Sequence, residues 1–456
     1  MKHRWLTAAL LLFASGILAG GERPNIIWVI ADDVGWKDLG CYGHPTIRTP
    51  NIDWLASHGV RFTNAFVTSP QCSPSRTAMF SGRFAHTVGA EDLHAPVPKG
   101  VRLLPSYLRE GGYWTGNVGK LHLGPHAAHQ FDVIRGFDRG GDLVGQWSAF
   151  LDDRPKDKPF FLAIGFTEAH RPFTKRPARP YKPSDAVVPP YLPDHPIVRE
   201  DLARYYDEIT YMDEQIGKLI EKLRADGLLR NTVIFFFSDN GSPFPRCKCH
   251  LADSGVGTPL VVYWPGVAPE GGVHSGLVSL VDLAPTVLEM VGMAVPEGWM
   301  GKSFLAAIRD PRRDGVRSAV FLERNWHDYE DHVRAVRTRR YKLIRNVFLN
   351  EPWMPPADVM RSPTARIMLR LREQGQLTVG QMMLFRAPRP PVELYDLEVD
   401  PWEFQNRAFD PEYEEVRREL EALLERWVRE TADVSPLPRR PDEFDRWTGE
   451  RLRPRR

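Results

Sequence analysis

The stretch NIIWVIADDVG, Asn25 to Gly35, sets six apolar residues in an unbroken row, Ile26 to Ala31, and ends them on two carboxylates, Asp32 and Asp33. A half-buried strand alternates apolar and polar side chains, whereas an unbroken run suits a strand covered on both faces, as in a parallel sheet. Three further runs repeat the design. YWTGNVG (Tyr113–Gly119) leads into Lys120 and His122, PFFLAIGF (Pro159–Phe166) into His170, and TVIFFFS (Thr232–Ser238) into Asp239 and Asn240. PLVVYW (Pro259–Trp264) closes on a Pro-Gly turn. Between Tyr205 and Leu223, residues Ile209, Met212, Ile216, Leu219 and Leu223 recur at helical spacing and form one apolar face. The alternation predicts an α/β fold with a mostly parallel central sheet between helices. Such sheets bind ligands outside the carboxyl ends of their strands, which is where these runs hand over to charged or polar residues.

Around this core the chain is organised in three parts. MKHR, an apolar stretch WLTAALLLFASGILA and the small residues Ala19, Gly20 and Gly21 read as a signal peptide over residues 1–20. That predicts a secreted or periplasmic protein without stable membrane insertion. A catalytic domain follows over 21–310, with a proline-rich surface loop at 172–196. RDPRRDGVRS (309–318) reads as a linker to a smaller α+β unit over 311–456. In that unit RYKLIRN and VELYDLEVD are strand-like, and a last helix carries Val416, Leu420, Leu423 and Trp427 on one side. With 60 basic against 58 acidic side chains, no field of one sign argues for nucleic acid or an anionic membrane as partner. The basic end RWTGERLRPRR reads as a solvated tail. Cys41, Cys72, Cys247 and Cys249 do not form a disulfide framework, although a bridge from Cys41 to Cys247 or Cys249 stays open.

Singly, each strand-end group has an ordinary structural reading: a turn, a helix cap, a surface charge or a buried histidine. Together they suggest a site. Asp32, Asp33, Asp239 and Asn240 offer oxygen ligands only, which suits calcium or magnesium rather than zinc. Lys120, His122, Lys248 and Arg76 can form an anion pocket beside the cation, and His170 can donate a proton. Cys72 lies in QCSPSRTAMFSG (Gln71–Gly82), where Ser73 reads as an N-cap, Pro74 as the first helical residue and Gly82 as the stop. This puts the cysteine at the positive end of a short helix, where anions are favoured. Three residues separate Cys72 from Arg76, too few for a phosphatase-type thiolate loop.

CSPSRTAMFSG resembles the signature of the type I sulfatases, Cys-x-Pro-Ser-Arg with a short spacer and Ser/Thr-Gly, and ADD, GKLHLG and SDNG stand in that family's order. The resemblance runs from Asn25 to Gly266 and resumes at Leu394–Asn406. Within the family it is most similar to the heparan N-sulfatase (sulfamidase) group, through GKLHLGP, PFFLAIGFTEAHR, DNGSPFP, RYKLIRN and ELYDLEVDPWEFQN. Two departures bear on N- against O-sulfate specificity: the group's arginine is represented by Lys248, and LADSGVGTP follows a broader bacterial pattern.

The resemblance implies an alkaline-phosphatase-like α/β/α sandwich with a smaller antiparallel subdomain. It implies that a formylglycine-generating enzyme converts Cys72 to formylglycine. It also implies one divalent cation, calcium or else magnesium, held by Asp32, Asp33, Asp239, Asn240 and the converted Cys72. Lys120 and Lys248 then grip the sulfate, Asp239 acts as base, Arg76 and His122 hold the formylglycine hydrate, and His170 protonates the leaving atom. The implied substrate is a sulfated saccharide, N-sulfoglucosamine first and a carbohydrate O-sulfate second. A phosphonate monoester or phosphodiester hydrolase, or an inactive carbohydrate-binding descendant, are more distant alternatives. For substrate contacts the expected residues are Glu91, Asp92 and His94 from GAEDLHAP, Arg171 toward a uronic acid carboxylate, and His327 from the second unit.

Overall fold

The computed structural model describes residues 23–136 and 142–452; the expected export segment at 1–20 lies outside them. Fourteen strands are present among the described residues. The first ten are β1 (Asn25–Ala31), β2 (Val60–Phe62), β3 (Ala65–Phe66), β4 (Trp114–Gly119), β5 (Val133–Arg135), β6 (Phe160–Gly165), β7 (Thr232–Ser238), β8 (Leu260–Tyr263), β9 (Gly272–His274) and β10 (Val278–Ser279). Eight of them form one sheet in the order β5-β4-β6-β1-β7-β8-β2-β9, while β3 and β10 pair separately. Among these eight, β8 alone runs against its neighbours, β7 and β2.

Every residue of β1, β6 and β7 is buried, as their unbroken apolar runs require. The helices form two groups. Pro50–Ser57, Leu143–Asp153 and Pro196–Ala225 pack together, and so do Cys72–Ser81, Leu104–Glu110 and Leu283–Met290. Trp28 of β1 ties the layers together. Its ring lies 5.0 Å from Phe80 on the Cys72 helix, 5.3 Å from Phe161 and 5.5 Å from Phe237. The contacts to Phe161 and Phe237 are edge-to-face, an arrangement that contributes about 1 kcal/mol each beyond buried area.

A second sheet, β11 (Val320–Arg324), β12 (Val333–Arg337), β13 (Tyr341–Asn346) and β14 (Val392–Asp396), is antiparallel throughout. The helix Glu414–Glu430 packs on β12 and β13, with Leu420, Leu424 and Trp427 buried and Val416 and Leu423 half-buried. Trp427 stacks on Phe321 and meets Phe84 edge-on, which joins this unit to the segment after the Cys72 helix.

Register explains how distant residues meet. Ala31 pairs with Ser238, Ile30 with Gly165, and Gly119 with Gly165, so Asp32 and Asp239 leave adjacent strands together and Lys120 leaves the same sheet edge across β6. Here β4 and β6 approach unusually closely. A Cβ on Gly165 would lie 1.9 Å from the Lys120 carbonyl oxygen, and Gly119 takes φ +77°.

One sequence reading is corrected and one open question is closed. The helix begins at Cys72, with extended Gln71 at the N-cap, so Ser73 and Pro74 fall inside the first turn. Proline fits there because the first four helical N–H groups have no intrahelical acceptor. The Ser73 hydroxyl instead accepts a 2.8 Å hydrogen bond from the His94 N–H. Gly82 does end the helix, at φ +63°. The open bridge from Cys41 does not form: all four cysteines are free.

Candidate active site

Residues four apart share a helix face, so Cys72 and Arg76 look the same way. They look onto the carboxyl edge of the sheet. The Cys72 Sγ lies 3.6 Å from Asp32 Oδ1 and 4.0 Å from Asp33 Oδ1. The Arg76 Nε donates to Asp239 Oδ2 at 2.7 Å, and its Nη1 donates to the Lys120 carbonyl at 2.7 Å. Lys120 Nζ donates to Asp32 Oδ2 at 2.5 Å and Lys248 Nζ to Asp33 Oδ2 at 2.8 Å. Asn240 Nδ2 donates to Asp33 Oδ1 at 2.6 Å. Three acidic side chains therefore face three basic ones, and all six are buried.

Burial and the Asp32 carboxylate push the Asp239 carboxyl up, against the opposing pull of Arg76. Burial raises the Cys72 thiol well above its usual range despite Lys120 and Lys248. It also lowers His122, helped by the Lys120 charge, so that ring is neutral. His122 Nε2 meets His94 Nδ1 at 2.5 Å. His170 turns Nδ1 to the Arg171 carbonyl at 2.5 Å and presents Nε2 to Asp358 Oδ2 at 3.5 Å and Asp33 Oδ2 at 4.0 Å. Asp33, His94 and His122 all hold positive φ, at 60°, 65° and 59°. Such backbone persists where the surrounding structure over-determines it, most often at functional sites.

One ligand atom each from Asp32, Asp33, Cys72 and Asp239 lie within 4.8 Å of one another. The Asn240 Oδ1, the Arg76 Nη2 and the His122 Nδ1 are buried without a hydrogen-bond partner in the protein. Buried polar atoms are nearly always partnered. Three carboxylates with an orphaned carbonyl oxygen fit a hard cation, and the two orphaned nitrogens beside them fit an oxygen-bearing group at residue 72 in place of the sulfur.

The site opens into a cavity of about 1030 Å³ lined by Asp32, Cys72, Lys120, His122, His170 and Lys248, with His94 and His327 also on its wall. Burial alone would lower His327, but Cys249 and the Asp328 carboxylate raise it to about 10. Three other expected contacts are arranged differently. Glu91 and Asp92 do not line this cavity, and Asp92 pairs with Arg440 at 2.7 Å. Arg171 reaches the wall, yet its guanidinium is matched by buried Asp201 at 2.8 and 2.7 Å and by the Pro243 carbonyl at 2.9 Å. Its charge is thus already paired within the fold, by Asp201 of the long helix Pro196–Ala225. Arg246, which directly follows Phe244-Pro245, donates to the Trp402 and Glu403 carbonyls and does not line the cavity, whereas Lys248 does. Sequence reasoning missed Asp358, whose Oδ2 accepts from Lys248 at 3.0 Å. It sits in a four-residue helix, Ala357–Met360, with no periodic pattern to single it out.

Comparison with known proteins agrees with this geometry. The sulfatase family profile matches residues 24–293. A second profile, N-sulphoglucosamine sulphohydrolase, C-terminal, matches 247–364 and so spans Lys248 and Asp358. The chain is 32% identical to an ulvan-active sulfatase of Formosa agariphila over 95% of this chain and 79% of that one. It is 31% identical to the human N-sulphoglucosamine sulphohydrolase, over 93% of each. Among solved structures, one in complex with its substrate D-glucosamine-2-N,6-O-disulfate superposes with a TM-score of 0.71 at 21% identity, covering 91% of this chain and 99% of that one. At that identity the likeness concerns the fold.

Proposed function

Because this chain belongs to the sulfatase family, we propose that it is an exported enzyme that hydrolyses the N-sulfate of a sulfated saccharide, with N-sulfoglucosamine as the unit attacked. The observation that carries this reading is the convergence of Cys72, at the first residue of its helix, with Asp32, Asp33 and Asp239. The 31% identity to the human N-sulphoglucosamine sulphohydrolase supports the choice of N-sulfate, as does the C-terminal profile over 247–364. The name of the Formosa relative supports a saccharide. A leader at residues 1–20 takes the chain to a secreted or periplasmic location. We divide the rest into a catalytic unit, 21–310, and a smaller one, 311–456, from which His327 and Asp358 reach the cavity.

Asp32, Asp33, Asp239, Asn240 and residue 72 hold one divalent cation, calcium before magnesium. Bound there, the cation neutralises sulfate oxygens, while residue 72, converted by a formylglycine-generating enzyme, supplies an aldehyde hydrate as the attacking group. An unconverted thiol would serve poorly, because burial holds the Cys72 proton on sulfur at neutral pH. Lys120 and Lys248, both buried in the lining of the cavity, bind the sulfate oxygens as charge moves onto them. Asp239 takes the proton from residue 72, and Arg76 fixes the orientation of that carboxylate. The spare Arg76 Nη2 and His122 Nδ1 hold the oxygens of residue 72. His170 gives its Nε2 proton to the departing nitrogen, with Nδ1 anchored on the Arg171 carbonyl.

Hydrolysis of N-sulfoglucosamine, glucosamine 6-O-sulfate and a phosphonate monoester, followed as sulfate released from the first two and alcohol released from the third, tests the reading. We expect the sulfamate to be turned over with the highest kcat/KM. Preference for the 6-O-sulfate would make the enzyme a carbohydrate O-sulfatase, and preference for the phosphonate would overturn the sulfate reading.

A further inference from the structure

Asp358 lines the cavity beside His170 and Lys248. Its Oδ2 is 3.5 Å from His170 Nε2, the nitrogen that gives up its proton, and accepts from Lys248 at 3.0 Å. Its Oδ1 is buried with no donor at all. A carboxylate offers about four lone-pair directions over its two oxygens, and the protein fills only one at hydrogen-bonding distance. The side chain is 19% exposed and lines the cavity. Oδ2, the oxygen nearest His170, keeps a further lone pair beside its bond from Lys248, so acceptor capacity lies next to His170 Nε2.

We propose that Asp358 is a specificity-determining residue that accepts a hydrogen bond from the N–H of a sulfamate and thereby selects N-sulfate over O-sulfate. The inference rests on the sulfatase reading above and deepens it. In R–NH–SO₃⁻ the bridging nitrogen carries a hydrogen; in R–O–SO₃⁻ the bridging oxygen carries only lone pairs, which a carboxylate repels. Hydrolysis breaks the N–S bond, moves the SO₃ unit to an oxygen and puts a proton on nitrogen, so sulfamate plus water gives amine plus hydrogen sulfate. The acceptor holds the original N–H while His170 delivers the second proton. A site built to bond a substrate N–H discriminates strongly against an analogue without it, because the buried acceptor is then left unpaired. Burial would raise the Asp358 carboxyl, but Lys248 and then His170 outweigh it and hold the group well below the usual carboxylate range.

The test compares kcat/KM for N-sulfoglucosamine and for an aryl sulfate in the wild type, Asp358→Asn and Asp358→Glu. The expected result is a fall of about 10- to 100-fold in the sulfamate-to-ester ratio for Asp358→Asn, the size of one hydrogen bond to a charged group, with partial recovery in Asp358→Glu. Calorimetric binding of the amine product glucosamine, which does not depend on the state of Cys72, should weaken about 10-fold in Asp358→Asn. Equal losses on both substrates, with unchanged glucosamine binding, overturn the inference and leave the sulfatase reading standing. A wild type that hydrolyses the ester but not the sulfamate overturns the N-sulfate reading itself.

Discussion

Replacing Arg76 by methionine removes one of three cations from a fully buried cluster. The guanidinium is 0% exposed, as is Asp239, which it meets at 2.7 Å, and it also satisfies the Lys120 carbonyl. Methionine keeps most of the volume, so the loss is electrostatic: three acidic groups then face two lysines. Breaking a buried pair from one side costs about 3–5 kcal/mol, because the remaining charge is stranded away from water. With an unfolding entropy of about 2.1 cal/mol/K per residue over 456 residues, each kcal/mol moves Tm by roughly 1 °C. Arg76→Met should therefore melt about 3–5 °C below the wild type by scanning calorimetry in the presence of a chelator. The double variant Arg76→Met/Asp239→Asn removes both charges and should recover most of that deficit. Added calcium should shrink the deficit of the single variant, since a cation among Asp32, Asp33 and Asp239 replaces the missing charge. A single variant as stable as the wild type, or a double variant no more stable than the single, would refute the claim that Asp239 depends on Arg76.

Gly165→Ala puts a methyl 1.9 Å from the Lys120 carbonyl, which also accepts from Arg76. Backbone must shift, so we expect at least about 1–3 kcal/mol of destabilisation in urea titrations, together with a loss of kcat; a variant matching the wild type in both would contradict the close strand approach. Chelation should lower the wild-type Tm, since a cation at 100 times its Kd adds about 2.7 kcal/mol. Asp33→Asn should lose most of that response, and an identical response would place the cation elsewhere. Asp213, buried on the long helix, accepts from the Asn51 and Ile52 N–H groups, and its pKa is raised from 3.8 to about 7, chiefly by burial. A raised carboxyl binds its proton more tightly folded than unfolded, so stability falls as pH rises from about 4 to about 7. The Tm difference between pH 5 and pH 8 should then shrink in Asp213→Asn; an unchanged difference would locate the titration in another group.

The strand-end acids and bases were legible because an apolar run that stops abruptly at charge has few purely structural explanations, and the register of β1, β6 and β7 then brings those ends together. The Cys72 segment was legible as a capped helix, but the rule favouring serine at an N-cap placed the start at Ser73. The extended backbone of Gln71 and the His94 N–H on Ser73 decide otherwise. β11 and β12 escaped notice because charged residues are buried among their apolar ones. Glu323 is paired with His86, and Arg334 with Asp433 at 2.6 Å, so pairing hides the apolar alternation that marks a strand. Arg171 and Asp92 read as free charges since sequence does not show that Asp201 and Arg440 already match them. Asp358 carried no signal, because its role depends on a tertiary approach to Lys248 and His170 alone.

The central claim is that residue 72 works as a converted cysteine held against a cation cradle. Trypsin releases it in the peptide Phe62–Arg76, so mass spectrometry of active preparations, with a hydrazide probe for carbonyl and a thiol alkylator for cysteine, measures both forms at once. Specific activity on N-sulfoglucosamine should rise in proportion to the carbonyl-bearing fraction and extrapolate to zero where only thiol remains. Full activity in protein whose Phe62–Arg76 peptide carries an intact thiol would contradict the account.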